Sequence, residues 1–295
     1  KKLKRTYSLM NDKIQPLKKA ISEHIQDGDS VALEGFTHLI PFAAGHEIIR
    51  QEKKNLTLIR MTPDLIYDQM IGMGLAKKLV FSWGGNPGVG SLHRLRDSIE
   101  NGYPHTIEIE EHSHSDISSA YVAGASGLPF TVLRGYTGTD LAKHNPEYVK
   151  WIECPFTGEK LAATPAINPD VTVIHAQQAD KKGNVKLWGI IGVQKEAAMA
   201  ARKIIITVEE IVDSFDKGDV NATIIPHWLV TAISEVPGGS KPSYAMGYYK
   251  RNNDFYKKWD DISRDRDTFH YWMDSHVLQV ENFEEHLTKM EVNHG

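Results

Sequence analysis

Short apolar runs alternate with amphipathic stretches along most of this chain, and that alternation limits the fold more than any other feature. The runs are Val31–Leu33, 56–61, 79–85, 106–114, 130–138, 171–179, 203–212 and 228–239. Between several of them the apolar residues take helical spacing. Ile14, Leu17, Ile21 and Ile25 share one face and end at Gly28, and further helices are expected from Ala43 to Gln51, over 115–127 and over 192–203. Strands separated by helices predict an α/β fold: an open mixed, mostly parallel sheet with helices on both faces. One pair departs from the parallel pattern. The runs flanking Asp180-Lys181-Lys182-Gly183-Asn184 predict an antiparallel hairpin, its glycine supplying a positive φ in the turn.

The chain has 295 residues, 41% of them hydrophobic, enough for a core without staples. We expect one domain over 12–250 and a helical extension of it over 251–295, rich in aromatic and charged residues, which is expected to pack against a partner. The Pro/Gly-punctuated stretch 153–170 is too short to mark a boundary. A net charge of -4 argues against nucleic acid as the main partner. No apolar run reaches the roughly 18 residues of a membrane span, and the basic opening KKLKR reads as a solvated terminus. The lone Cys154 cannot pair internally and has no evident activating partner, so a cytoplasmic protein is expected.

Candidate chemistry gathers where apolar runs end. Glu34-Gly35-Phe36-Thr37-His38 follows the first run directly and precedes Pro41 and a helix. Gly35 suits a sharp turn and close ligand approach, and amides at the next helix start could hold an anion. A second loop, 82–96, carries Gly85, Asn86, Gly88 and Gly90, with Arg94 and Arg96 able to offer charge. It matches neither G-x-G-x-x-G nor a P-loop. A third stretch, 108–116, read as extended, places Glu110, His112 and His114 on one face. His-x-His beside a carboxylate is an acceptable ligand pair, but no third ligand stands at a diagnostic distance, so no metal is expected. Glu209-Glu210 ends another apolar run and suits either acid–base work or a surface role. No G-x-S-x-G anchors a nucleophilic serine.

Several stretches, in order, resemble the α (A) subunit of family I coenzyme A transferases: ALEGFTHLIPFAAGHEIIRQ, SWGGNPGVGSLHRLRD, IEEHSHSD with AYVAGASGLPF, CPFTGE, VTVIHAQQADKKGNVKLWGI and VPGGSKPSYA. They span roughly residues 12 to 250. The likeness is nearest to the branch that moves CoA from succinyl-CoA to 3-oxoadipate, in degradation of aromatic compounds, and more distant to the glutaconate branch. The resemblance implies a CoA-transferase / NagB-RpiA-like fold, with coenzyme A as cosubstrate and no permanently bound cofactor. It also implies that the nucleophilic glutamate belongs to a partner B (β) subunit, in an α2β2 assembly, so no catalytic residue is expected in this chain. Glu100-Asn101-Gly102 copies the partner's short motif but sits at a helix end, and is not assigned that role. What the resemblance leaves to this chain is a substrate and oxyanion wall: Glu34, Gly35, Phe36, Thr37, His38, Gly85, Asn86, His112 and His114. Three departures stand out. Glu34 replaces the first glycine of a Gly-Gly-Phe turn, His114 falls where relatives carry glutamine, and Phe42-Ala43 stand where some hold asparagine. Transfer to glutaconate or another dicarboxylate, CoA-ester hydrolysis, and a non-enzymatic acyl-CoA-binding module are the alternatives.

Overall fold

The computed structural model describes residues 13–215 and 219–292, so the basic opening lies outside the described residues. Helix α1 (Leu17–His24) leads into β1 (Ser30–Glu34). The unit then repeats through α2 (Phe42–Arg50), β2 (Leu56–Ile59), α3 (Leu65–Gly72), β3 (Ala76–Phe81), α4 (His93–Glu100) and β4 (Glu108–Glu111). Strands β1 to β4 pair in parallel, each helix serving as the crossover that parallel neighbours need. Ile14 is not on the first helix. It bridges to Ile233, and the helix starts only after Pro16, which has no N–H for a preceding turn.

Helix α5 (His114–Ala125) follows β4. The strand therefore stops short of the expected extended segment, because the Ser113 hydroxyl accepts the Asp116 amide at 3.1 Å and caps a helix there. Next come β5 (Phe130–Leu133), α6 (Leu141–His144), β6 (Lys150–Glu153) and β7 (Lys160–Pro165). These strands form a separate antiparallel sheet in the order β5-β7-β6, so the run at 130–138 does not join the main sheet. Its alternating exposure suits a small sheet with one solvated face.

The chain returns to the main sheet with β8 (Val171–Asp180), β9 (Val185–Leu187), α7 (Gln194–Ala200), β10 (Lys203–Val212), β11 (Thr223–Ile225) and β12 (Ala232–Glu235). The expected hairpin is present. β8 and β9 are antiparallel, Gly183 has φ 87°, and Asp180 Oδ1 accepts the amides of Lys182 and Asn184. β10 lines one edge of β8 throughout. On the other edge β1 pairs with Val171–Ile174 and β9 with Gln178–Ala179. Between them the sheet splays, and the loop after β1 enters the gap.

Side chains alternate across the sheet. Val31, Leu33, Leu58 and Leu79 pack beneath α1–α4, whereas Ala32, Ile59 and Val80 pack against α5 and α7. The tail folds into α8 (Asn253–Arg264), α9 (Arg266–Met273), a π-helical turn (Asp274–Leu278) and α10 (Phe283–Val292). Phe255, Trp259, Phe269 and Trp272 belong to the same buried cluster as β1 and α2. These four aromatic residues of the tail thus cover this chain's own core, whereas Tyr271 is exposed. No helix among the described residues is long and apolar enough to cross a membrane.

Candidate functional site

The loop Gly35–Ile40 turns so tightly that a Cβ on Gly35 would lie 2.9 Å from the carbonyl oxygens of both His38 and Leu39. Glycine is required here by the loop's own backbone. The left-handed conformations fall instead on Thr37 (φ 57°) and Leu39 (φ 52°), where side chains make them costly by about 1–2 kcal/mol each. Such strain persists only where the surroundings hold it. Here Ser243 Oγ donates to Thr37 O at 2.7 Å, Leu39 N donates to Tyr244 O at 3.0 Å, and Gln194 Nε2 reaches Glu34 O, Leu39 O and His175 O at 3.3 Å each. None of the hydrogen bonds among the described residues uses the amides of Phe36 or Thr37, and both residues are only partly buried. The start of α2 is closed, since Ala43 N donates to Gly239 O.

Glu34 faces inward and is 2% exposed. Its Oε1 accepts Met61 N at 3.1 Å and the Tyr121 hydroxyl at 2.9 Å. Burial pushes its carboxyl above the usual range, against the pull of the Arg60 guanidinium. Arg60 is itself buried, donating to Gly35 O at 2.7 Å and to Asp64 Oδ1 at 2.9 Å. Glu34, Arg60 and Asp64 therefore tie the loop after β1 to the loop after β2. The stitching continues sideways. Ser82 Oγ donates to Met61 O at 2.6 Å and so must accept the proton of His114 Nδ1 at 3.2 Å. That leaves Nε2 of His114, an exposed residue opening α5, without a hydrogen-bond partner among the described residues.

The other expected residues are structural anchors in varying degree. His38 is fully buried, with Nε2 accepting Met246 N and Nδ1 donating to Ile190 O, both at 2.9 Å. These bonds fix its tautomer, and burial holds the ring below its ordinary value. Asn86 donates to Tyr256 O at 2.7 Å, tying the glycine loop to α8, and Gly85 N donates to Pro63 O. His112 sits between Glu110 and Asp116, 2.7 Å from each. Burial lowers its tendency to charge, but the two carboxylates prevail and raise it to about 9. Glu110 and His112 are thus paired, while His114 stands apart on the helix. Among the described residues no cluster of three or more His, Cys, Asp or Glu is arranged to hold a metal.

Arg94, expected to offer charge, is buried and bonded to Asp97, whereas exposed Arg96 pairs with Glu100. Glu209 is buried against His175 at 2.6 Å and accepts Gly238 N, while Glu210 accepts from Tyr248 and Gln178. Glu100 ends α4, which runs back from the carboxyl edge of the sheet, so it lies at the opposite edge from the loops. Sequence reasoning passed over Arg60, Ser82, Tyr121 and Gln194. Arg60 and Ser82 lie inside the runs at 56–61 and 79–85, each directly after the last residue of its strand, and carried that signal. Tyr121 and Gln194 lie inside helical segments and carried none.

The loops after β1, β2, β3 and β4 therefore form one stitched rim at the carboxyl ends of parallel strands, where open α/β sheets bind ligands. A coenzyme A transferase family model matches residues 14–236. The chain is 62% identical, over 93% of its length and 96% of the relative's, to the A subunit of 3-oxoadipate CoA-transferase from Pseudomonas knackmussii. It is 33% identical to the A subunit of glutaconate CoA-transferase from Acidaminococcus fermentans, over 94% of this chain and 92% of that one. The crystal structure of the glutaconate coenzyme A-transferase from that organism superposes with a TM-score of 0.88 at 31% identity, over 95% and 93% of the two chains. Sequence and fold agree: the chain belongs to the coenzyme A transferase family.

Proposed function

We propose that this chain is the A subunit of a heteromeric, cytoplasmic enzyme that moves CoA from succinyl-CoA to 3-oxoadipate. The observation that carries the reading is the 62% identity, across nearly the whole chain, to the A subunit of a 3-oxoadipate CoA-transferase. In this scheme a glutamate of the B subunit makes the attack on the succinyl thioester carbonyl, releasing CoA thiolate and forming a mixed anhydride. The thiolate attacks the glutamyl carbonyl and displaces succinate, leaving a glutamyl-CoA thioester. The 3-oxoadipate carboxylate repeats these two steps in reverse, restoring the free glutamate.

This chain supplies the facing wall. The unused amides of Phe36 and Thr37 stabilise the oxyanion, and the Thr37 hydroxyl and His114 Nε2 recognise the polar end of the acyl group. Glu34, Gly35, His38, Gly85, Asn86 and His112 act through the loops that they hold. No resident cofactor takes part, and two αβ pairs form the assembly. The test is co-expression with a B subunit, followed by initial rates from succinyl-CoA with 3-oxoadipate and glutaconate as acceptors. Parallel-line kinetics with a preference for 3-oxoadipate are expected. A preference for glutaconate would replace the substrate assignment, a second reading favoured by the structural match to the glutaconate enzyme.

A further inference from the structure

Just before α8 the chain curls back on itself, with Tyr249 N donating to Ala245 O at 3.1 Å. The curl encloses an open cup of about 390 Å³, lined by Tyr244, Met246, Tyr248, Tyr249, Lys250 and Arg251. This cup adjoins the loop after β1, since Tyr244 O accepts Leu39 N and Met246 N donates to His38 Nε2. Its wall is accessible: Met246 is 44% and Tyr248 38% exposed, Lys250 is exposed and Arg251 is partly so. The guanidinium of Arg251 is held in place without being neutralised. Nη2 donates to Pro87 O at 2.8 Å, Cζ lies 3.9 Å from the centre of the Tyr256 ring, and Nε is buried with no partner. Nη1 makes no hydrogen bond among the described residues, and neither Arg251 nor Lys250 joins an ion pair there. Asp64 feels the charge of Arg251, but its Oδ1 is taken by Arg60. Glu209 and Glu210, at the hydroxyl ends of Tyr249 and Tyr248, are also bonded to His175, Gly238 and Gln178. A fixed guanidinium with a donor to spare is prepared for an anion at little cost in ordering.

Arg251 and His114 stand on opposite faces of the sheet. His114 opens α5, which packs with Ala32, Ile59 and Val80. Arg251 leads into α8, whose Phe255 and Trp259 pack with Val31, Leu33 and Leu58. The loop carrying Phe36 and Thr37 is joined to both sides. Ser243 and Tyr244 hold it on one, and Glu34 links it through Met61 and Ser82 to His114 on the other. A thioester carbonyl at this loop sends its acyl group and its CoA arm in opposite directions, so an acyl group toward His114 turns the arm toward the cup. We infer that Arg251, with Lys250 beside it, receives a phosphate of the CoA nucleotide. The assignment rests on the transferase reading and adds to it an anchor for the part of CoA that does not react.

The experiment uses the assembled enzyme and the variants Arg251→Gln, which keeps a donor for Pro87 O but removes the charge, and Lys250→Glu, an exposed change. Calorimetry with free CoA needs no acceptor acid. Arg251→Gln should weaken CoA about tenfold and Lys250→Glu about fivefold. In initial rates, kcat/KM for succinyl-CoA should fall by similar factors. That for 3-oxoadipate should change less than about twofold, because CoA is already bound when the acid arrives. Equal losses for the two substrates would mean that Arg251 reads the acyl carboxylate or only holds the glycine loop, and would overturn the assignment. Unchanged CoA affinity in either variant would overturn it too, while transfer by the native assembly left the transferase reading intact. A native assembly that transferred no CoA would remove that reading and the assignment together. Lys250→Glu carries both measurements if Arg251→Gln fails to fold.

Discussion

At the scale of single residues, the rim divides groups that face outward from groups that hold them. His114 is exposed, tied only through Nδ1, and its loss leaves the stitched backbone in place. In the assembled enzyme His114→Ala should lower kcat/KM by more than about threefold, toward the hundredfold typical of a lost transition-state hydrogen bond. A smaller change in kcat/KM removes His114 from substrate recognition. Thr37 offers a sharper separation of strain from function. Glycine would relieve about 1–2 kcal/mol of left-handed strain while giving back roughly 0.5–1 kcal/mol through the freer unfolded chain. Thr37→Gly should therefore melt within a degree or two of the native protein yet lose activity about tenfold. A large fall in melting temperature would mean that the Thr37 side chain, not the backbone, holds the loop.

At the scale of elements, the junction of β4 and α5 depends on a buried charge cluster. His112 lies between Glu110 and Asp116, Tyr136 donates to Asp116 at 2.5 Å, and Lys78 reaches Glu110 at 2.7 Å. The folded-state value of His112, about 9, exceeds the ordinary 6.5. The folded protein therefore holds this proton more tightly than the unfolded chain. The resulting stabilisation is complete below pH 6.5 and is lost as pH rises through about 9. Melting temperature should fall over that window. In His112→Gln the curve should be flatter, lower at pH 6.5 and closer to the native protein at the alkaline end. Parallel curves for the two proteins would exclude His112 as the titrating group.

This junction also marks the limit of what the sequence made legible. Buried parallel strands were visible because both faces are apolar, and the β8–β9 hairpin because its turn chemistry is local. The end of β4 was not, because Ser113 caps a helix inside a stretch whose alternation continues to favour a strand. Thr37 and Leu39 give no warning of positive φ, since only long-range bonds to Ser243 and Tyr244 hold them there. Glu34 and His38 were noticed as polar residues at a strand end. That their side chains turn inward depends on Tyr121, Met61, Ile190 and Met246, which are distant in sequence.

For the whole molecule, the tail and the sheet are one thermodynamic object. Trp259 is fully buried and donates to Asp68 Oδ2 at 3.1 Å, while Asn86 and Pro87 on the rim are bonded to Tyr256 O and Arg251. Trp259→Ala should cost about 3–5 kcal/mol, and a chain ending at residue 250 should show no cooperative melt. A truncated chain that melted cooperatively would show that the sheet and first helices suffice. In the proposed scheme the chemistry is divided differently. The carboxylate at the end of β1, Glu34, is 2% exposed and bonded beneath the backbone. It is poorly placed to attack a thioester that must approach from outside. Incubating the purified assembly with succinyl-CoA alone should therefore leave the mass of this chain unchanged. Its partner should gain the mass of CoA less one water, and the adduct should disappear when the acceptor acid is added. This chain purified alone should not accelerate exchange between succinyl-CoA and free succinate. A CoA adduct on this chain, or exchange catalysed in the partner's absence, would place the nucleophile here and overturn the division of labour between the two subunits.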